Sequence, residues 1–156
     1  RLNPDILHGH GAKGGVYART IGTLLRASGA RVARIYSPHG GSLHYDRTTL
    51  GGRAYLAAER LLRRMTDAFI FVSQFEADTY ASKVGQPGRL AAVVLNGLRP
   101  AEFDPVEPDT DAADFLFIGA LRDLKGPDVF IEALAELGRS RVPPPTALVV
   151  GDGPDE

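Results

Sequence analysis

The feature that most constrains this chain is a repeated order: a short apolar run, a glycine or polar turn, then residues at helical spacing. Pro4-Asp5-Ile6-Leu7-His8 reads as a strand entering a glycine-rich turn, Gly9 to Gly15. Residues 16–28 place Val16, Ile21, Leu24 and Leu25 on one helical stripe, stopped at Ser28-Gly29. Arg31 to Tyr36 alternates like a strand and ends in a loop, Ser37-Pro38-His39-Gly40-Gly41. Residues 53–65 form a helix with Tyr55, Leu56, Leu61, Leu62 and Met65 on one face and Glu59, Arg60, Arg63 and Arg64 elsewhere. Ala68 to Val72 is a continuous apolar run, the signature of a strand buried on both faces. Ser73 and Glu76 then form a capping box for a helix ending near Val84. Leu90 to Leu95 is a further buried strand.

Residues 99–113 interrupt the order with Pro100, Pro105, Pro108 and five acids, as a linker does. It resumes with the strand Phe115 to Ile118, a turn over Gly119 to Gly126, and a helix over 127–137 facing inward through Val129, Phe130, Ala133, Leu134 and Leu137. A last strand, Ala147 to Val150, ends at Gly151-Asp152-Gly153-Pro154. Strand, turn and helix in this alternation imply α/β structure with parallel strands and right-handed crossovers. Both ends fall mid-pattern, so the expectation is a fragment: two incomplete Rossmann-like halves joined by a linker. One six-stranded sheet spanning the linker is the competing topology.

Charge divides at the same place. Residues 1–100 carry 14 basic and 6 acidic residues, and residues 101–156 carry 4 and 13. The basic half suits a phosphate, nucleic acid or an anionic membrane surface, or it simply solvates helix faces. Nucleic acid is not expected, because no basic stripe with interleaved aromatics is present. Without cysteine there is no disulfide framework, thiolate zinc site or cysteine nucleophile. No run reaches the ~20 apolar residues of a membrane span and residues 1–30 show no signal-peptide pattern, so the cytoplasm is the expected compartment.

Every chemically promising segment falls at the carboxyl end of an expected strand, where open α/β sheets bind ligands. His8-Gly9-His10-Gly11, with Gly14-Gly15 opening a helix, offers backbone amides to an anion. His8 and His10 are expected on opposite faces of their strand, which argues against a shared metal, and no metal is expected. Ser37-Pro38-His39-Gly40-Gly41-Ser42-Leu43-His44 sets glycines beside a histidine. Gly119 to Gly126 places Arg122 and Lys125 between a strand and a helix start, a combination suited to a diphosphate. Gly151-Asp152-Gly153-Pro154 reads only as a tight turn.

Taken in order, these segments resemble the middle of a family-four GT-B glycosyltransferase. His8-Gly9-His10-Gly11 resembles the strand-end His motif of that family's N-terminal domain, and Ser37-Pro38-His39-Gly40 the Thr/Ser-x-His-Gly motif after it. Asp67 to Phe75, preceded by Arg63-Arg64, is similar to the family's next strand. Leu95-Asn96-Gly97-Leu98 with Phe103 resembles the segment leading into the interdomain linker. Phe117 to Gly126 and Val149 to Pro154 resemble the first two strand-turn units of the donor domain. Three departures stand out: Gly119-Ala120-Leu121 replaces Gly-Arg-Leu, Asn96-Gly97 is followed by Leu98-Arg99 without the usual Asp, and the family's glutamate pair would fall beyond residue 156.

The resemblance implies residues 1–99 as the later part of an acceptor domain, 100–113 as linker and 114–156 as the start of a donor domain. It implies a hexosyltransferase using a nucleotide-diphosphate sugar, acting with retention on a saccharide or lipid-linked acceptor; separately, the basic helix at 53–64 is expected to help the domain sit on an anionic inner membrane face. This segment alone is expected to be inactive. His39 and His10 would meet the transferred sugar or the diphosphate. Arg122, Lys125, Gly119, Gly126, Gly14 and Gly15 would bind the donor. A non-catalytic phosphate- or nucleotide-binding module and a GT-B-type sugar epimerase are the alternatives.

Overall fold

The computed structural model describes residues 3–88 and 90–154. The chain forms two compact units that meet in sequence between Arg99 and Pro100. Each holds its own sheet, so one six-stranded sheet is not formed. The class is α/β, with every strand pair parallel.

In the first unit the order is β1 (Ile6–His10), α1 (Gly11–Ala27), β2 (Ala33–Ser37), a 3₁₀ turn Gly41–His44, α2 (Leu50–Arg63), β3 (Ala68–Phe71), α3 (Gln74–Lys83) and β4 (Leu90–Val93). The four strands lie in sequence order, with His10 level with Ser37 and Tyr36 level with Phe69. Their carboxyl ends therefore gather along one edge.

The expected glycine-rich turn at 9–15 is absent. β1 passes straight into α1, the chain being redirected at Gly11, whose φ of +64° suits glycine. The buried face of α1 also differs from the apolar stripe. Gly15, Ala18, Arg19 and Gly22 are buried, whereas Val16 and Ile21 are exposed and Leu24 is 70% exposed. A Cβ on Gly15 would fall 2.2 Å from the Tyr36 ring, and one on Gly22 would fall 2.6 Å from the Arg34 side chain. Close packing on large β2 side chains selects the small residues, and hydrophobicity loses to shape.

The face of the sheet carrying Tyr36, Phe69 and Phe71 is covered by the helices. The core joins those residues to Leu43, Leu56, Tyr80 and Val84. Phe69 lies 5.1 Å from Tyr80 and 6.1 Å from Tyr36, centroid to centroid, in tilted and edge-on geometries. β3 is therefore buried on one face rather than both, with Ala68 and Ile70 only half-buried. β4 is exposed throughout, contrary to the buried strand expected there.

α2 starts three residues earlier than its apolar pattern suggests, because the Thr49 hydroxyl caps it by accepting from the Gly52 N–H at 3.0 Å. Its inner face holds Leu56, Leu62 and, unexpectedly, Glu59, while Tyr55 and Leu61 are exposed. Glu59 is buried because Arg19 is its partner. The guanidinium is 0% exposed, donates to both carboxylate oxygens at 3.0 and 3.1 Å, and lies 3.8 Å over the Tyr36 ring.

The second unit contains a 3₁₀ turn Pro100–Phe103, β5 (Phe115–Ile118), a 3₁₀ turn Asp123–Lys125, α4 (Pro127–Ser140) and β6 (Ala147–Val150). Asp114 and Thr146 clamp the strand starts: the Thr146 N–H and hydroxyl donate to the carboxylate at 2.8 and 3.0 Å. Phe117 packs on Phe130 at 5.5 Å. Val129 and Leu137 remain exposed, because two strands are too narrow to cover the helix face that the pattern defines.

Candidate functional site

The first cluster is built by the carboxyl ends of β1 and β2. His10 ends β1 as the extended N-cap of α1, and its side chain caps no amide. Instead its Nδ1 lies 2.8 Å from Nε2 of His39, with the two rings stacked at 5.1 Å. One nitrogen of that pair must carry the proton and the other a lone pair. His8 Nε2 lies 2.9 Å from the Ser37 hydroxyl, and the His8 and His10 rings are 4.1 Å apart.

That proximity corrects the expectation of opposite faces. Side chains alternate along a strand, so residues two apart share a face. Among the described residues, no group of three or more histidines and acids is arranged to hold a metal ion. Partial burial, then the positive charge available on His10 and His39, lowers the pKa of His8.

His39 comes from a turn with φ values of 50°, 76° and 35° at His39, Gly40 and Gly41. A left-handed histidine is uncommon, and such backbone is held only where neighbours over-determine it. The turn rests on the start of α1, since a Cβ on Gly41 would lie 3.4 Å from the Ala12 nitrogen. The first-turn amides of α1, Gly11 to Lys13, have no partner within the helix and carry the positive end of its dipole, whereas the Gly14 N–H already belongs to the helical ladder. Gly15 faces inward onto Tyr36, so it lets the helix start sit against β2. Gly9 does the same one step earlier, its Cβ position lying 2.5 Å from the Gly14 carbonyl oxygen.

In the sequence Glu76 reads only as part of a capping box. The Ser73 hydroxyl does accept from the Glu76 N–H at 3.1 Å. The carboxylate, however, turns away from the Ser73 N–H. Its oxygens accept from Gly40 N–H at 2.7 Å and Val72 N–H at 2.9 Å. No spacing in the sequence marks this link, because Gly40 lies 36 residues away. A cleft of about 590 Å³ opens beside it, lined among others by Leu43, His44, Val72, Phe75 and Lys83. The Lys83 ammonium is occupied by the Leu43 and Tyr45 carbonyls.

The second cluster follows β5. Gly119 N–H donates to Val150 O at 3.0 Å and Leu121 N–H to Asp152 O at 2.8 Å, so pairing with the β6 side continues past both strands. A Cβ on Gly151 or Gly153 would fall 1.8 or 2.0 Å from a carbonyl oxygen of 119 or 121, which explains both glycines of that turn. Arg122 and Lys125 are exposed at the two ends of the next 3₁₀ turn, joined by the Lys125 N–H to Arg122 O bond of 2.8 Å. Gly126, left-handed at φ 68° and ψ 41°, is the N-cap of α4, with Pro127 in the first helical turn. The structure thus pairs His10 with His39, sets Gly14 beside His8 and His10 in one shallow pocket, and sets Arg122, Lys125, Gly119 and Gly126 around one strand-to-helix turn.

No helix among the described residues is long and apolar enough to cross a membrane. No curated protein matches the chain significantly. Residues 1–97 match the family model of a glycosyl transferase 4-like domain. That match spans β1 to β4 and the histidine cluster at their carboxyl ends. With more than half of its length so matched, on a parallel α/β framework, the chain belongs to the glycosyl transferase 4-like family.

Proposed function

We propose that this chain is part of a hexosyltransferase that moves a sugar from a nucleotide-diphosphate donor to a saccharide or lipid-linked acceptor with retention of configuration. Family membership supports glycosyl transfer in general. The finer reading rests chiefly on the His10–His39 contact of 2.8 Å beside the open amides at the start of α1. Two imidazoles sharing one proton, next to a helix dipole, suit a ligand that carries both hydroxyls and phosphate oxygens.

In this reading residues 1–99 serve the acceptor side, 100–113 link and 114–156 begin the donor side. Lys125 and Arg122 neutralise the donor diphosphate, and charge growing on the leaving group as the glycosidic bond breaks is stabilised by those cations. Gly119 and Gly126 shape the turn that presents them, and the amides at the start of α4 add donors. Two cations at one turn supply what a metal would, so the reading calls for none. Arg53 and Arg64, exposed at α2, would add attraction to an anionic cytoplasmic membrane face of ~1 kcal/mol each. Arg60 and Arg63 already bind the Lys83 and Gln86 carbonyls.

The epimerase alternative asks for free carboxylates at these strand ends. Both oxygens of Glu76 are taken by backbone amides, which favours transfer. Lys125→Ala in the full-length protein, assayed with nucleotide-sugar donors, should lower kcat/KM by ~100-fold. A fall below about threefold rejects the role. Binding to phosphatidylglycerol vesicles should weaken steeply with added salt.

A further inference from the structure

We propose that Glu76 is a positioning residue: its carboxylate locks the 38–41 turn so that His39 reaches His10. The function of that pair rests on the transferase reading above, whereas the positioning itself does not. Glu76 is 5% exposed. A buried carboxylate must be satisfied, and this one is satisfied by two amides from different segments, Gly40 after β2 and Val72 at the end of β3.

Gly40 is gripped from both sides, because its carbonyl accepts from the Leu43 N–H at 2.7 Å while its own N–H is given to Glu76. Its φ and ψ of 76° and −43° lie outside the helical and extended wells, and His39 before it is also at positive φ. Histidine tolerates positive φ better than most residues, but three successive positive φ values from His39 to Gly41 are still held best by tethers from outside the turn. Glu76 is such a tether, reaching across from α3. Capping does not account for it, since a capping-box glutamate would return to the Ser73 N–H.

Loss of either tether lets the turn relax toward ordinary φ, and the imidazole at its apex moves. A displacement of about 1 Å at a reacting group is enough for a ~100-fold loss of rate. Glu76→Gln keeps the volume but leaves one acceptor oxygen and places an NH₂ where the second amide donor points.

The test uses full-length protein labelled with ¹⁵N-histidine. Wild type should show His10 Nδ1 and His39 Nε2 as one protonated and one unprotonated nitrogen. Glu76→Gln should melt lower than wild type, by what one unsatisfied buried amide costs, yet stay folded and lose that pattern, each ring returning to a free tautomer mixture. With transferase turnover present, kcat should fall by about 10- to 100-fold with little change in donor KM. A folded Glu76→Gln that keeps the paired pattern overturns the proposal. If the pattern is lost and kcat is kept, positioning stands and the histidine role in transfer fails. Should Glu76→Gln not fold, hydrogen exchange in wild type decides: the Gly40 amide must exchange at least about tenfold slower than a free amide, and unprotected exchange overturns the tether.

Discussion

Removing the Glu59 carboxylate, as Glu59→Ala, should destabilise the first unit more than any exposed ion pair could. Its partner Arg19 is fully buried and makes three bonds: Nε to the Gly15 carbonyl at 2.8 Å and two to Glu59 at 3.0 and 3.1 Å. The Tyr36 hydroxyl donates a further, weaker bond to the same carboxylate at 3.3 Å. Without Glu59 the guanidinium keeps one carbonyl and the Tyr36 face, and water cannot reach it. Breaking a buried pair from one side leaves an uncompensated charge, about 3–5 kcal/mol. At ~2 kcal/mol per molar for urea, the unfolding midpoint should fall by ~2 M. The chain has no tryptophan, so far-UV circular dichroism is the probe. The double variant Arg19→Met with Glu59→Leu removes both charges and should recover most of the loss, to within ~2 kcal/mol of wild type. A single variant losing less than ~1 kcal/mol, or a double variant no better than the single, refutes the reasoning.

Glycine substitutions separate packing from helix propensity. Gly15→Ala should lose ~1–3 kcal/mol by colliding with Tyr36, whereas Gly14→Ala, whose nearest neighbour is 3.8 Å away, should gain up to ~1 kcal/mol, both read by urea unfolding. Asp67 gives a pH signature. Burial opposes its charged form, but hydrogen bonds from the Arg34 side chain and backbone, with the charges of Arg34 and Arg26, outweigh it and hold the pKa below its usual value. A depressed folded pKa contributes stability above the unfolded value and loses it as pH falls through the folded one. Asp67→Asn should therefore be less stable by ~1–3 kcal/mol at neutral pH, with the gap closing below about pH 4 in acid melts.

Periodicity and punctuation made β5 and β6 legible to the residue, because four-residue apolar runs between prolines and glycines admit little else. Ser73 was legible as a cap because capping acts over three residues. The candidate site was legible in its parts: His10, His39, Arg122 and Lys125 stand out by type and by place at strand ends. Their partners were not. The buried face of α1 is not legible in its apolar stripe, because the sheet selects Gly15 and Gly22 by shape over Ile21 and Leu24 by hydrophobicity.

The sequence alone determined the α/β alternation, the division near residue 100 and the stations where chemistry could sit, since each depends on interactions within about one turn or one strand. Only the tertiary structure decided that Arg19 meets Glu59 across 40 residues, that Glu76 ties Gly40 to Val72, and that His10 and His39 come within hydrogen-bond distance. Those links join side chains far apart in the chain, and their register is set by how the strands align and how closely the helices approach them.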